Sequence, residues 1–273
     1  MAPISQPVGG NEALIKWLLD PSNLKDLNQR IIIKTVVLFS LIFIAVGFVS
    51  VRLFGGNKEK ETPDDKKKRT KKLSWCISLL NSGAMTILGA IYLYLNVTRH
   101  ENFFFYGPEP SLIFYSVAPL EVFTCIWFAL ACIYDLLFGL LFYPSHIQFL
   151  TGWFHHGIFI WMMYFSCTGS GLFLTAHPFA SAFVYMLIEE LPTFLLALGS
   201  VLPDFRTDLG FGVTFFLLRI CYHAYIVSFA YISKFHTPGM CLYYLTLTMH
   251  LNWFYGWIVS YFMPQAKKNK KMA

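Results

Sequence analysis

Charge is what this chain has least of. Only 13% of its 273 residues are Asp, Glu, Lys or Arg, about half the roughly 25% of a water-soluble domain. Apolar residues reach 56%, against about 45–50% ordinarily. Long polar stretches are missing too: the longest are the first 30 residues and the loops. No separate soluble domain has room to form. The N-terminus lacks the basic-then-apolar order of a cleaved signal peptide; its "NEALIKWLL" reads either as an amphipathic surface helix ended by Asp20-Pro21 or as a loose tail. Cysteine is sparse, and most of the six residues lie in apolar runs, where they act as small apolar side chains. Cys167 and Cys241 fall near one face and leave a single disulfide open. Histidine clusters are missing as well. Eight His include one adjacent pair and no HxxHH, which excludes a di-iron desaturase or hydroxylase, whose metals take several imidazoles. No metal or resident cofactor is expected. Basic residues occur only in short segments beside apolar runs, a pattern that membrane orientation explains and nucleic-acid binding does not need.

What the chain does have is long apolar runs. A helix crossing a bilayer needs about 20 predominantly apolar residues. Runs of that kind cover Ile31–Phe54, Leu73–Leu95, Ser116–Phe142, Phe149–Ser166, Gly171–Val201, Leu209–Ser233 and Met240–Met263. The expected fold class is all-α, a polytopic membrane protein of about seven transmembrane helices. The loop "GGNKEKETPDDKKKRTKK" carries eight Lys/Arg against four acids, and the tail "PQAKKNKKMA" adds four lysines. Seven crossings put both on one side, cytosolic by the positive-inside rule, and the N-terminus outside. Lys16, Lys25 and Arg30 argue weakly the other way. The organisation expected is a lumenal segment over 1–30, a first span over 31–54, a basic cytosolic loop over 55–72, a six-helix domain over 73–263 and a basic tail over 264–273. Lys270 and Lys271 stand fourth and third from the end, the form of a dilysine retrieval signal. The bland reading is a basic tail drawn to anionic lipid. The expected address is the endoplasmic reticulum membrane. The sequon Asn96-Val97-Thr98 abuts a span, too near the membrane for glycosylation.

Ionisable residues at bilayer depth cost a few kcal/mol on insertion scales and mark candidate sites. At about 1.5 Å of rise per residue, Asp135 lies roughly 12 Å in from Tyr143, and His155 and His156 roughly 10 Å along the next span. Glu189 and Glu190 lie about 17 Å from Val201, Arg219 roughly 15 Å into its span, and His223 one turn deeper. Overlapping depths on four successive spans predict one shared, water-accessible cavity. Adjacent rings point about 100° apart on a helix, so either both histidines border a broad cavity or one bonds a neighbouring helix. The competing reading is an interhelical clamp with Asp135 or Glu190. Glu189 and Glu190 do not readily both ionise side by side in a low dielectric. Arg219 either neutralises Glu190 or Asp135, or holds a phosphate or carboxylate. His146, His100 and His236 read as surface residues and His177 as lying near a lumenal end. His250 and Asn252 either reach the cavity or are satisfied by packing.

The order "IYDLLFGLLFYP", "FHHGIFIW", "EELPTF", "FFLLRI" resembles the TLC-domain family, the ceramide synthases and their non-synthase relatives. The resemblance runs from about Leu73 to Met263. It implies six spans around a central lipid-accessible cavity, built as two inverted three-helix repeats. In the synthases the paired histidines belong to the site that transfers fatty acyl from acyl-CoA to a sphingoid amine. Here His156 is followed by Gly157-Ile158-Phe159, without the synthase Thr three residues on, and Glu189-Glu190-Leu191-Pro192-Thr193 stands downstream. That is the pattern of the non-synthase branch, several of whose members are linked to phospholipid composition or lipid trafficking.

Two functions fit these residues. One is an acyltransferase of lipid metabolism in which His155 or His156 is base or acyl acceptor and Asp135 orients the ring. Arg219, with Glu190 and His223, would hold an anionic headgroup or carrier, with acyl-CoA as a substrate. The other is a non-catalytic lipid-binding regulator, carrier or trafficking adaptor. Both imply membrane lipids as partners.

Overall fold

The computed structural model describes residues 10–20, 22–23, 27, 29–54, 61–99, 118–168, 178–232 and 240–263. Among them every regular element is helical. In chain order these are α1 (Gly10–Leu19), α2 (Gln29–Phe54), α3 (Pro63–Ser74), α4 (Cys76–Arg99), α5 (Pro119–Phe142), α6 (His155–Thr168), α7 (Pro178–Tyr185), α8 (Glu190–Val201), α9 (Asp208–Thr214), α10 (His223–Ile232) and α11 (Met240–Phe262). Among the described residues, four stretches are long and apolar enough to cross a membrane: Gln29–Phe54, Pro63–Leu95, Pro119–Phe142 and Asp208–Phe229. The described parts of the other three expected spans are helical as well but fall outside that set. The histidine pair lowers the hydropathy of α6, and Thr, Tyr, His and Asn lower that of α11, while the described part of the run toward Val201 is broken. The tail lysines Lys270 and Lys271, with His100, His177 and His236, lie outside the described residues. Asn96 sits in the last turn of α4.

The outer surface is apolar. On α2, Val37, Leu38, Leu41, Phe48, Val49 and Leu53 are all more than half exposed, a continuous patch that suits lipid rather than water. The opposite side of α2 packs on α5. Phe43 is fully buried there, 4.8 Å from Trp127 and 6.0 Å from Tyr134 between ring centroids. Helix α5 is the hub, touching α1, α2, α4, α6 and α7. Its start is fixed by Glu121, whose carboxylate accepts from the Ala118 backbone N–H at 2.8 Å and from the Tyr92 hydroxyl at 2.8 Å.

Several expectations are corrected. The segment expected as a basic loop is helical from Pro63, because Thr62 caps it (Asp65 N–H to Thr62 Oγ1, 3.2 Å), Pro63 suits the first turn and Asp64 and Asp65 complement the dipole. The run expected as one span to Val201 bends through a 3₁₀ turn at Leu187–Glu189. Pro192 lacks an N–H and its ring crowds the carbonyl four residues back, which breaks the α ladder there. Gly89 of α4 lets that turn approach closely: a β-carbon on it would sit 2.5 Å from Ile188 N and 2.8 Å from the Leu187 carbonyl carbon. No disulfide joins Cys167 to Cys241. All six cysteines are free; the Cys167 thiol points inward to the Val122 carbonyl, 3.8 Å away, whereas Cys241 faces outward.

Candidate functional site: a polar cavity between the helices

Two further departures from α geometry frame the site. The chain is π-helical at Phe149–Phe154, just before the histidine pair, and again at Phe215–Tyr222, around Arg219. Each wide turn shifts the angular phase of the residues after it, and such turns recur at functional positions. Together with the 3₁₀ turn before Glu190, they aim side chains from α5, α6, α8 and the Arg219 segment into one cavity of about 560 Å³. That volume lies within the roughly 300–1,000 Å³ of small-molecule sites. Asp135, His155, His156, Glu190 and Arg219 all border it, with Asn81 and Thr193. Phe128, Leu196, Phe211, Phe215 and Trp253 supply apolar wall. Lys71 and Gln148 are the exposed residues of the lining, so the cavity opens beside the C-terminal end of the basic helix α3.

The two histidines differ. His156 Nδ1 lies 2.9 Å from the Gly152 carbonyl, which can only accept, so Nδ1 carries hydrogen. Its Nε2 faces Asp135 Oδ2 at 3.4 Å. Asp135 Oδ1 also accepts from the Tyr143 hydroxyl at 2.7 Å. The Asp135 carboxylate is thus held from two sides. His155 has no hydrogen-bond partner among the described residues. Its ring packs against Phe159 (4.7 Å between centroids) and Trp253 (6.0 Å) and stands 5.6 Å from His156. Of the two open arrangements, the structure has both: both rings border the cavity, and one of them also bonds a neighbouring helix.

Arg219 donates from Nε to the Glu189 carbonyl (2.8 Å) and from Nη2 to Thr193 Oγ1 (2.6 Å), with Glu190 Oε1 at 3.4 Å. Its guanidinium carbon lies 5.4 Å from the Phe215 ring centroid. It pairs with Glu190 rather than Asp135, and Nη1 has no partner among the described residues. His223 does not join this group. It is 1% exposed, bonded to Glu189 Oε2 at 2.9 Å and to the Tyr243 carbonyl at 3.0 Å, and faces away from the cavity. Both residues nonetheless meet Glu189, Arg219 at its backbone carbonyl and His223 at its carboxylate.

Thr193, which the sequence offered only as part of the stretch EELPTF, lies one turn after Glu190 and accepts from Arg219. Tyr143, not singled out as a site residue, reaches back to Asp135 from the end of α5, where no periodicity applies. His146, expected on the surface, is half-buried at the mouth with Nε2 3.0 Å from Thr70 Oγ1. Burial, then Lys71 and Lys67, hold its imidazole below the ordinary histidine range, so it is neutral at neutral pH.

No family model matches this chain, and no curated protein or solved structure matches it either. The chemistry of the cavity rests on its own geometry: an imidazole with no hydrogen-bond partner among the described residues, a His156–Asp135 contact and a partly free guanidinium around a space open at one end.

Proposed function

We propose that this is a multi-pass membrane protein of lipid metabolism in the endoplasmic reticulum. Seven spans are inferred, six of them forming a TLC-type bundle of the non-synthase branch, and the cavity transfers a long-chain acyl group to a lipid acceptor. The observation that carries this reading is the unbonded His155 imidazole in the cavity that also holds Arg219 and the His156–Asp135 pair. A neutral imidazole can take the proton of an attacking hydroxyl or amine. With acyl-CoA as donor, the acceptor's O or N bonds to the thioester carbonyl carbon and the C–S bond breaks. The proton on His155 then passes to the leaving thiolate. Arg219 Nη1 is placed for an anionic headgroup, and the Lys71 end of the cavity for a donor arriving from the basic, cytosolic side.

A specific observation favours the second reading, a non-catalytic lipid-binding regulator or carrier. Glu190 and Thr193 already occupy one face of Arg219, and Asp135 and His156 satisfy each other, as a resting binding site would have it. Mass spectrometry of the co-purifying lipid, together with the cellular lipid profile of His155→Gln and His156→Gln, separates the two. An amide hydrogen-bonds but does not titrate. For catalysis, His155→Gln is expected to stay folded, retain lipid and lose turnover as completely as His155→Ala. A full lipid phenotype in both Gln variants and in the double variant would sink catalysis and leave binding.

A further inference from the structure

Behind the cavity wall, three donors from distant parts of the chain converge. Glu189 ends the 3₁₀ turn, His223 opens α10 and His250 lies midway along α11. One ligand-capable atom from each lies within 4.8 Å of the others. Relative exposures are 6%, 1% and 4% respectively. His223 Nδ1 is 2.9 Å and His250 Nδ1 3.9 Å from the same oxygen, Glu189 Oε2. The two rings stand nearly perpendicular, 87° apart, with centroids separated by 5.2 Å.

Two details distinguish this cluster from an ordinary clamp. The Tyr243 carbonyl accepts from His223 Nε2 at 3.0 Å, which fixes the tautomer and leaves Nδ1 pointing at Glu189. Metal-bound histidines are held this way, with the second ring N–H on a carbonyl or carboxylate. Glu189 Oε1, moreover, is buried with no hydrogen-bond partner among the described residues. A His–Glu pair sharing a proton uses only Oε2 and leaves the other oxygen stranded, a cost that buried carboxylates generally avoid.

The geometry points to a closed structural site for a divalent transition metal of the Zn²⁺ type, formed by Glu189, His223 and His250. Zn²⁺ takes imidazole nitrogen and carboxylate oxygen at about 2.0–2.2 Å in a tetrahedron, which puts neighbouring donors roughly 3.3 Å apart. The contacts of 2.9 and 3.9 Å straddle that spacing. Bound bidentately, Glu189 supplies the stranded Oε1 as fourth donor, its short oxygen–oxygen bite distorting the tetrahedron along one edge. His250 exchanges its 3.2 Å contact with the Arg219 carbonyl for the ion. Ca²⁺ and Mg²⁺ are disfavoured, since both demand more oxygen ligands. Burial on every side gives the ion no open position, so its role is structural. It ties the turn that carries Glu190 to α10 and α11, directly behind Arg219. This inference is independent of acyl transfer.

The test uses full-length protein purified in detergent without a polyhistidine tag, stripped with chelator and titrated with Co²⁺, then Zn²⁺. One Co²⁺ per chain is expected, with the visible absorption of a tetrahedral site, a rise in Tm, and displacement by Zn²⁺. Glu189→Gln, His223→Asn and His250→Asn should each weaken binding at least tenfold, while His146→Asn and His155→Asn leave it unchanged. His250→Cys should still bind and add a thiolate-to-cobalt charge-transfer band. Absence of stoichiometric metal in the wild type, binding that survives the three Glu189, His223 and His250 variants, or a folded His250→Cys protein without that band would each overturn the assignment.

Discussion

Replacing Asp135 tests how much its contacts with His156 and Tyr143 stabilise the fold. In Asp135→Ala, Tyr143 loses the 2.7 Å bond to the carboxylate and keeps only the 3.1 Å bond to the Asp135 backbone carbonyl. His156 Nε2 loses the group 3.4 Å away. Both carboxylate and imidazole are about one-sixth exposed, at 16% and 17%, so water replaces the lost contacts only in part. A hydrogen bond to a charged group contributes about 1.5–3 kcal/mol, and a stranded buried polar group costs about 1–3 kcal/mol. With partial rehydration the expected loss is about 3 kcal/mol. Asp135→Asn keeps the shape. Its carbonyl oxygen can accept from Tyr143 and its amide can donate to His156 Nε2, so the loss should stay under about 1 kcal/mol. At roughly 2–4 °C per kcal/mol for a chain of this size, Ala should lower Tm by about 6–12 °C and Asn by no more than about 4 °C. The assay is thermal unfolding in detergent at neutral pH, with Tyr143→Phe as a third variant falling between them. If Asn destabilises as much as Ala, the carboxylate's charge is required and hydrogen bonding through an amide of the same shape does not hold the contact. If Ala is silent, the contact contributes nothing.

Gly89→Ala would press a β-carbon against backbone atoms of Ile188 and Leu187, which cannot rotate away as a side chain would. An overpacking cost of about 1–3 kcal/mol is expected, read as lowered Tm, and an unchanged Tm would mean that α4 slides freely past the turn. Changing Lys270 and Lys271 to Ser should move a tagged protein from the endoplasmic reticulum to later compartments in fractionated cells; an unchanged location reduces those lysines to a basic tail. Tags at the two termini, probed by protease on intact vesicles, should be protected at the N-terminus and cleaved at the C-terminus. Both ends on one side would remove one of the seven spans.

Helix content and apolar stretches of membrane-crossing length were legible in the sequence because both depend on local composition, apolar runs that can satisfy their backbone by coiling. The cavity residues Asp135, His155, His156, Glu190 and Arg219 were legible for a related reason. Ionisable groups are too costly in an apolar span to be scattered there without a shared purpose, and depth along a helix follows from counting residues. The cap at Thr62 and the break before Pro192 also had local signals, in Thr-Pro-Asp-Asp and in the proline itself.

Angular position was a different matter. A one-turn spacing puts His223 near Arg219, and both meet Glu189, but His223 sits on its carboxylate behind the cavity wall rather than in the cavity. Glu189 and Glu190, neighbours at the 3₁₀ turn, part company, one carboxylate going to the buried cluster and the other to the cavity. The meeting of Glu189 with His223 and His250 joins it to residues 34 and 61 positions further along the chain, and no spacing within one helix encodes it. It depends on how α10 and α11 cross the broken helix, which is settled by close approaches such as Gly89 on the turn. Residue type and depth belong to the sequence, whereas the facing of each group, and hence its partner, arises only when irregular turns and helix crossings are packed together.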